Sequence, residues 1–508
     1  MTYKFVPAKD RDLAVLVVFL LSLVVVYHLA LALHGQGLFR AHHLGTALHY
    51  AATQIDLRHT IIVGFNAADT PTIQEFPVWQ AATGLAFKLL GTWWGWGNVV
   101  SLVLFLPCLF PLFQIARMYL GQRGACWTLI FLLSQPLVFV MAGEAATDGL
   151  CLSVTIWFLY CGAKLVCEPG WKWLVPACAF GSLATVSKLP FFVAAGLALF
   201  LFLLWKFGPG AKRLLWLAAV GGVSAVIFLL WTRYTDAAQA AAVFPFVDLR
   251  VSRGSPMIFW YFGDWKYRLG AINWIKGGWR VLDALFGSFA MVGLAILALA
   301  NRKGHLLART ICWGTLLTTA IFSHLILHHW HYYLMLAPAV AILCAEGMIL
   351  LESKFSTERS WMSPMTLLVS VLIGLSLIQG LMGMRALTFD NYPAKMAEII
   401  RQHTAETDKL VIIGGSWGGE ELFRSNRRGL SAWNAQIFND PANYAKLKSL
   451  GYNKLVMISQ SPFDNAIQVV NPGQADIPRR FYRDLVTPLV KKWPTVFQTE
   501  DILIKEIP

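Results

Sequence analysis

The chain has 508 residues, of which 57% are hydrophobic and only 14% charged, with a mean hydropathy of +0.56. A soluble domain carries about 25% charged residues, so this balance over such a length excludes a soluble globular fold. The formal charge of +14 and the isoelectric point near 9.4 would suggest a nucleic-acid partner in a soluble protein. Here much of the excess falls in short loops between apolar runs, where basic residues set orientation, and no nucleic acid is expected.

The apolar runs define the class. Each is about 20 residues long, enough to cross a hydrocarbon core of roughly 30 Å as a helix. Lipid offers backbone polar groups no partner, so the runs must be helical. In chain order they fall at 12–34, 97–118, 125–142, 148–166, 173–188, 190–206, 213–232, 281–300, 309–327, 331–350 and 362–382, giving eleven expected spans. The first follows a basic N-terminus and is too long for the apolar core of a signal peptide.

Charge in the short loops then sets the topology. Arg117 and Arg123, Lys164 and Lys172, Lys206, Lys212 and Arg213, Arg302, Lys303 and Arg309, and Lys354 and Arg359 all fall on one side, whereas 143–147 and 328–330 hold no Lys or Arg. Lys188 is the one exception. The positive-inside bias makes the N-terminus cytoplasmic and puts the tail outside. Three long segments share that outer side. Segment 35–96 holds two amphipathic stretches, 42–54 and 77–90, expected along the membrane interface. Segment 233–280 is a polar, aromatic-rich loop.

Beyond residue 382 the composition changes, and Lys409–Gly414 and Lys454–Ser459 read as short buried strands separated by a helix near 441–450. The expected fold is an all-α polytopic membrane domain over 1–382 with a small α/β extracytoplasmic domain over 383–508. All eight cysteines lie in or beside spans, with no disulfide framework or zinc spacing.

Carboxylates gather where spans begin on the outer side. Glu75 stands in Gln74-Glu75-Phe76-Pro77, and Glu144 and Asp148 in Gly143-Glu144-Ala145-Ala146-Thr147-Asp148. Acidic residues at helix starts favour the dipole, which accounts for both placements without function. Yet ionisable groups at membrane depth are costly and mark function, and two on one face point to a cation or proton-transfer site. Such a pair would approach within about 10 Å, near enough to share a cation directly or through water.

The stretch Trp260–Arg268 is either an interfacial aromatic belt or a phosphate grip made by Lys266 and Arg268. His328-His329-Trp330-His331-Tyr332-Tyr333 has no recognised metal-ligand spacing and reads as belt and polar contacts. The Gly414–Gly419 turn lacks GxGxxG spacing and reads as a flexible turn.

In this order and spacing the chain resembles, over essentially its whole length, the GT-C glycosyltransferases, in the branch of protein O-mannosyltransferases and lipid A aminoarabinose transferases. Phe39–Gly91 resembles the Arg-Gln-Ala-Asp…Glu-Phe-Pro-Leu-Tyr pattern of some bacterial members. Asp148 matches their second-loop Asp, and Trp260–Arg268 their Trp-Phe-Phe-Gly…Arg stretch.

The resemblance implies a multi-pass protein of a bacterial inner membrane. It would move a sugar with inversion from a polyprenyl-phosphate carrier to an extracytoplasmic lipid, glycan or protein acceptor. Glu75 and Asp148 would orient donor phosphate and acceptor, a divalent metal cation on the two being allowed. Lys266 and Arg268 would hold the leaving phosphate.

One position departs. Where the family carries its first-loop Asp, the chain reads Arg40-Ala41-His42-His43-Leu44, which leaves His43 as base, an imidazole titrating near 6.5 being suited to the task. Asp56 or Asp69 are the other candidates, and loss of the chemistry is a further outcome. Two rival classes are a catalytically silent homologue that binds a prenyl lipid or partner, and a lipid or solute transporter. The transporter would need polar residues near the bilayer midplane and paired broken spans.

Overall fold

The computed structural model describes residues 10–34, 41–58, 75–240, 256–301, 304–355, 371–378 without 372 and 376, 392–415, 419–432, 440–459 and 486–508. Most of the expected span 362–382, Asp69 and the centre of the Gly414–Gly419 turn lie outside the described residues. The chain forms two compact units. The first comprises 1–35, 97–233 and 251–384, and the second 36–96, 234–250 and 385–508.

In chain order the helices are α1 (Asp10–His34), α2 (Ala41–Ala52), α3 (Val78–Leu90), α4 (Trp96–Phe105), α5 (Leu109–Leu133), α6 (Pro136–Met141), α7 (Asp148–Cys167), α8 (Trp171–Ser187) and α9 (Leu189–Phe207). There follow α10 (Ala211–Ala240), α11 (Pro256–Phe262), α12 (Trp265–Leu269), α13 (Ala271–Val281), α14 (Phe289–Ala300), α15 (Leu306–Ile321), α16 (Ser323–His328) and α17 (Ala337–Phe355).

Six helical stretches among the described residues are long and apolar enough to cross a membrane: Leu13–Leu33, Trp96–Leu133, Asp148–Cys167, Leu189–Phe207, Ala211–Ala238 and Trp330–Lys354. The bent pair 271–286 and 289–300 makes a seventh if it counts as one span. The chain is thus a multi-pass membrane protein, and where its spans differ from the eleven expected the causes are local. Trp96–Leu133 merges the second expected span with the start of the third, but Gly121 at φ +71° breaks its helical backbone between them. The third is interrupted at Ser134-Gln135, where Pro136 lacks the N–H that would continue the ladder, and α6 restarts there.

The expected span 281–300 begins only at Phe289. Gly287 stops the preceding helix in the left-handed region at φ +63°, and the Ser288 hydroxyl accepts from the Met291 N–H to start α14. The two arms meet at 101°. Within this unit α7 is buried along most of its length, α9 packs on α15, and α5 packs on α17. Far along α17, Glu352 accepts from Arg123 Nε at 2.7 Å and from Trp127 Nε1 at 3.2 Å, tying α5 to α17.

In the second unit α2 and α3 form a close pair. A Cβ on Gly84 would fall 2.9 Å from the Ala47 carbonyl oxygen, so only glycine permits this approach. Trp79, Thr83 and Phe87 of α3 are buried while Leu85, Leu89 and Leu90 are exposed, the amphipathic pattern expected for 77–90.

The C-terminal part is a five-stranded sheet of order β2-β1-β3-β5-β4, with β1 (Lys409–Ile413), β2 (Arg428–Ala432), β3 (Tyr452–Ile458), β4 (Thr495–Gln498) and β5 (Ile502–Glu506). β1 runs parallel to β2 and β3, and β5 antiparallel to β3 and β4. Alternate strand residues feed two cores. Val411, Ile413, Leu455 and Met457 face Leu447 of helix Pro441–Ser449, and Leu410, Ile412, Val456 and Ile458 face Met396 and Ile400 of helix Tyr392–His403. The two buried strands and the helix between them match the expectation for this region. β2, β4 and β5 were not anticipated.

Candidate functional site

The site in the first unit is built on the turn between α6 and α7. Residues 142–148 are all buried, so the backbone groups of this turn need partners. Neighbouring side chains satisfy them. Asn98 Nδ2 donates to the Gly143 carbonyl at 2.7 Å, and the Ser101 hydroxyl donates to the Glu144 carbonyl. His28 of α1 packs flat against Gly143, where a Cβ would meet the ring at 2.4 Å, and its Nε2 donates to Phe139 O at 2.8 Å. Glycine is therefore required at 143, and the turn presents Asp148 at a fixed place on the first turn of α7.

Asp148 is 0% exposed and faces Lys188, itself 5% exposed, with Nζ to Oδ1 2.5 Å. Lys188 stands between two helices. α8 ends at Ser187, α9 begins at Leu189 with Pro190 in its first turn, and Lys188 is extended at φ −154°, ψ 99°. Proline is favoured in a first turn and resists continuation from the helix before it, so the break holds Lys188 beside Asp148. The Lys188 ammonium also sits 5.3 Å from the Tyr332 ring centroid. Desolvating two charges costs several kcal/mol per ion and is only partly repaid by their attraction. A buried pair at the ends of apolar helices is thus weak evidence for stability and better evidence for a site.

Around this pair the aromatic and imidazole side chains are continuous. His331 lies 4.7 Å from Tyr332 between ring centroids, His329 5.3 Å from His331, and His328 5.0 Å from His329. One turn of α16 earlier, His324 stacks on His328 at 5.6 Å and 6°. Trp260 of α11 packs against His324, His328 and His329 at 5.1–5.6 Å. The His324 Nδ1 donates to the Trp260 carbonyl at 3.0 Å. Burial holds His324 below the ordinary imidazole range, and burial with the nearby His324 and Arg280 lowers His328 to about 4. Arg280 is buried and donates to the Leu327 and His328 carbonyls, closing the end of α16.

The expected phosphate grip looks different in the fold. Lys266 is exposed on α12. Arg268 donates from Nε to Phe262 O at 2.7 Å and from Nη2 to Ile321 O at 3.3 Å, and lies 5.3 Å from the Trp265 ring. Its guanidinium secures the loop. Asp264 caps α12, accepting from the Tyr267 N–H at 2.6 Å.

His43 and Glu75 belong to the second unit. His43 is on α2, only 6% exposed, with Nδ1 2.8 Å from Gln80 Nε2 and its ring edge-on to Trp79 at 5.9 Å. Glu75 is half-buried just ahead of Pro77, which precedes the first residue of α3. Asp56 receives Arg58 Nε at 3.1 Å.

Among the described residues no group of three or more His, Cys, Asp or Glu is arranged to hold a metal ion. Asp148 Oδ1 already has the Lys188 ammonium as its cation, so the described side chains do not fit a divalent metal at Asp148 as they stand. All eight cysteines are free thiols.

Two participants were missed in the sequence. Lys188 registered only as an exception to the loop-charge pattern; a lone Lys on the charge-poor side, directly before Leu-Pro, was the signal. His324 pairs with His328 at the i, i+4 spacing of one helical face, but its place among apolar residues hid it.

With this geometry in view, comparison with known proteins gives a consistent picture. The family described as dolichyl-phosphate-mannose-protein mannosyltransferase matches residues 69–231. Comparison with the curated proteins matches none of them. Among solved structures, the chain is similar to ArnT from Cupriavidus metallidurans bound to undecaprenyl phosphate, with a TM-score of 0.64 at 15% identity, covering 97% of this chain and 98% of that one. The same protein in the apo state gives 0.60 at 14% identity, with coverage of 96% and 97%. The oligosaccharyltransferase AglB from Archaeoglobus fulgidus, in complex with an inhibitory peptide and a dolichol-phosphate, gives 0.51 at 13% identity, covering 94% of this chain and 72% of that one.

Proposed function

We propose that this chain, whose fold is that of the GT-C membrane glycosyltransferases, transfers a sugar from a polyprenyl-phosphate carrier to an acceptor hydroxyl, with inversion, on the extracytoplasmic face of a membrane. The observation that carries this reading is the buried Asp148–Lys188 pair, formed between the first residue of α7 and the residue that precedes α9. In such a transfer the acceptor oxygen bonds to the anomeric carbon as the bond from that carbon to the phosphate oxygen breaks. The electron pair leaves with the phosphate, and the acceptor proton goes to a base. Charge therefore develops on the leaving phosphate, where fixed positive partners act most strongly.

Lys188 is assigned that role, since an ammonium is a compact point charge with three donors. Asp148 holds it in place and orients the acceptor. Lys266, exposed on α12, is assigned to the approach of the anionic carrier. Arg268, committed to two backbone carbonyls, is assigned to shaping the loop. Glu75 is assigned to orienting substrate and His43 to proton removal. Gln80 bears on His43: the Gln80 Nε2 amide donates to Nδ1 at 2.8 Å, which occupies that lone pair and puts the ring proton on Nε2, so proton removal by His43 requires this contact to break. No step is routed through a metal.

The test is stereochemical. The purified chain in nanodiscs is offered polyprenyl-phosphate hexose and aminopentose donors, and the product's anomeric configuration is read by NMR. Inversion that Asp148→Asn abolishes supports the reading; retention, or transfer that Asp148→Asn leaves intact, removes it. A second reading, a carrier-binding homologue without transfer, is favoured by the burial of His43 against Trp79 and Gln80. It predicts carrier-phosphate binding with no product from any donor.

A further inference from the structure

The far end of α9 carries a group of cations that glycosyl transfer does not use. α9 and α10 are both long and apolar enough to span a membrane, and the turn Gly208-Pro209-Gly210 joins them. Lys206, Lys212 and Arg213 flank this turn, and no Asp or Glu occurs between Glu168 and Asp236. Glu168 itself pairs with Lys164 at 3.6 Å. Among the described residues no carboxylate pairs with any of the three cations. We propose that Lys206, Lys212 and Arg213 form a binding site for the phosphate of an anionic phospholipid, in the leaflet opposite the Asp148–Lys188 pair.

Neighbouring side chains fix two of the cations in place. Lys206 is exposed, yet its ammonium donates to the Tyr119 hydroxyl at 3.1 Å and the Cys167 sulfur at 3.5 Å. It also lies 5.2–5.4 Å from the ring centroids of Phe202, Tyr119 and Phe207. Arg213 stacks on the same Phe207 ring at 4.1 Å and commits Nε to the Val166 carbonyl at 3.1 Å. Among the described residues nothing engages its two terminal nitrogens, which keep the planar donor fork that suits a phosphate. Two like charges brought to one ring repel, and an anion shared between them removes that repulsion. A Cβ at Gly208 or Gly210 would meet nothing within 4 Å, so the space beside the turn is open there.

Depth and surroundings identify the anion as a lipid headgroup. The three cations stand where two spans end, the level at which headgroup phosphates lie. Trp205, 50% exposed, and Phe207, 37% exposed, sit beside them, and such rings suit the acyl–headgroup boundary. α10 leaves most of its apolar length exposed, which gives acyl chains a face to lie on. Along α9, 18 positions separate Lys188 from Lys206. At 1.5 Å per residue that is about 27 Å, close to the thickness of a hydrocarbon core. The carrier phosphate assigned to Lys188 is therefore a different ligand at the other surface.

The experiment needs no sugar donor. The full chain is placed in nanodiscs of phosphatidylcholine with a minor fraction of phosphatidylglycerol and no polyprenyl phosphate, and native mass spectrometry counts the lipids it retains. Relative to bilayer content, the wild-type chain is expected to retain phosphatidylglycerol at least about tenfold more than phosphatidylcholine, and Lys206→Gln with Arg213→Gln to abolish that preference. Arg213 also ties α10 to Val166, so Lys206→Gln alone serves as a milder variant, expected to cut the preference about fivefold. Lys88→Gln, which removes a cation from α3, should leave it intact, and added salt should weaken it in the wild-type chain. No preference in the wild-type chain, full preference in either folded Lys206 variant, or an equal loss in Lys88→Gln would overturn the site. Release of phosphatidylglycerol by millimolar inorganic phosphate at constant ionic strength would reveal a site for free phosphate and overturn the assignment to lipid. Transfer activity plays no part in this readout, so the lipid site and the glycosyl-transfer reading fail separately.

Discussion

Asp148 and Lys188 show most sharply what a single residue contributes. Removing one partner of a buried ion pair strands the other charge and typically costs about 3–5 kcal/mol, whereas replacing both by apolar groups is often neutral or stabilising. Asp148→Asn and Lys188→Met are each expected to lower unfolding stability by about that amount, and Asp148→Leu with Lys188→Met to recover most of it. If the pair serves the carrier phosphate, the recovered double variant still fails to bind undecaprenyl phosphate; recovery of binding along with stability would make the pair structural. Asp148 could be picked out in the sequence because a carboxylate before an apolar run is conspicuous. Its partner could not, since 40 positions separate them and only the α8–α9 break brings Lys188 to the same place.

The imidazoles give a residue-scale prediction in pH. His328 has a folded pKa of about 4 against an ordinary value near 6.5. Its neutral form is the one the fold favours, so its contribution is fully present above pH 6.5 and is lost as pH falls towards 4, where the unfolded chain binds the proton first. Stability measured by denaturant or thermal unfolding should decline through that window, and His328→Gln should flatten the decline. An unchanged slope in the variant would assign the decline to other groups.

At the level of elements, helices and their breaks had different legibility. The apolar runs and the α2–α3 pair were visible because burial in lipid or against a partner leaves long, periodic patterns. Breaks were not, because one residue makes each of them. Gly121 and Gly287 look like ordinary glycines until the backbone shows φ at +71° and +63°. A residue with a Cβ in the left-handed region costs roughly 1–2 kcal/mol. Gly287→Ala should therefore destabilise the chain by about that amount and loosen the 101° corner between the α13 arm and α14. Increased proteolysis at 286–288 would register the loosening; an unchanged protease pattern and stability would show that the corner does not depend on glycine.

For the whole molecule, composition alone was enough to exclude a soluble fold, and the ordered pattern of spans, outer carboxylates and C-terminal strands pointed to the fold that the solved structures share. The C-terminal sheet was half legible. β1 and β3 are buried apart from Lys409, Asn453 and Lys454, β4 is short and mostly exposed, and β5 is as buried as β1 but only five residues long, a length over which periodicity is weak. What no pattern could convey is chemistry assembled across distant segments, such as Trp260 among the histidines of α16 and its following turn.

The central claim is that this fold uses its buried charge pair to take a sugar from a polyprenyl phosphate. Its most direct test counts both products of one reaction. The purified chain in nanodiscs should release free polyprenyl phosphate and glycosylated acceptor in equal amounts from at least one polyprenyl-phosphate sugar, and Lys188→Met should reduce both by about 100-fold or more. Release of neither product from any donor, or equal release by Lys188→Met and the wild-type chain, would contradict it.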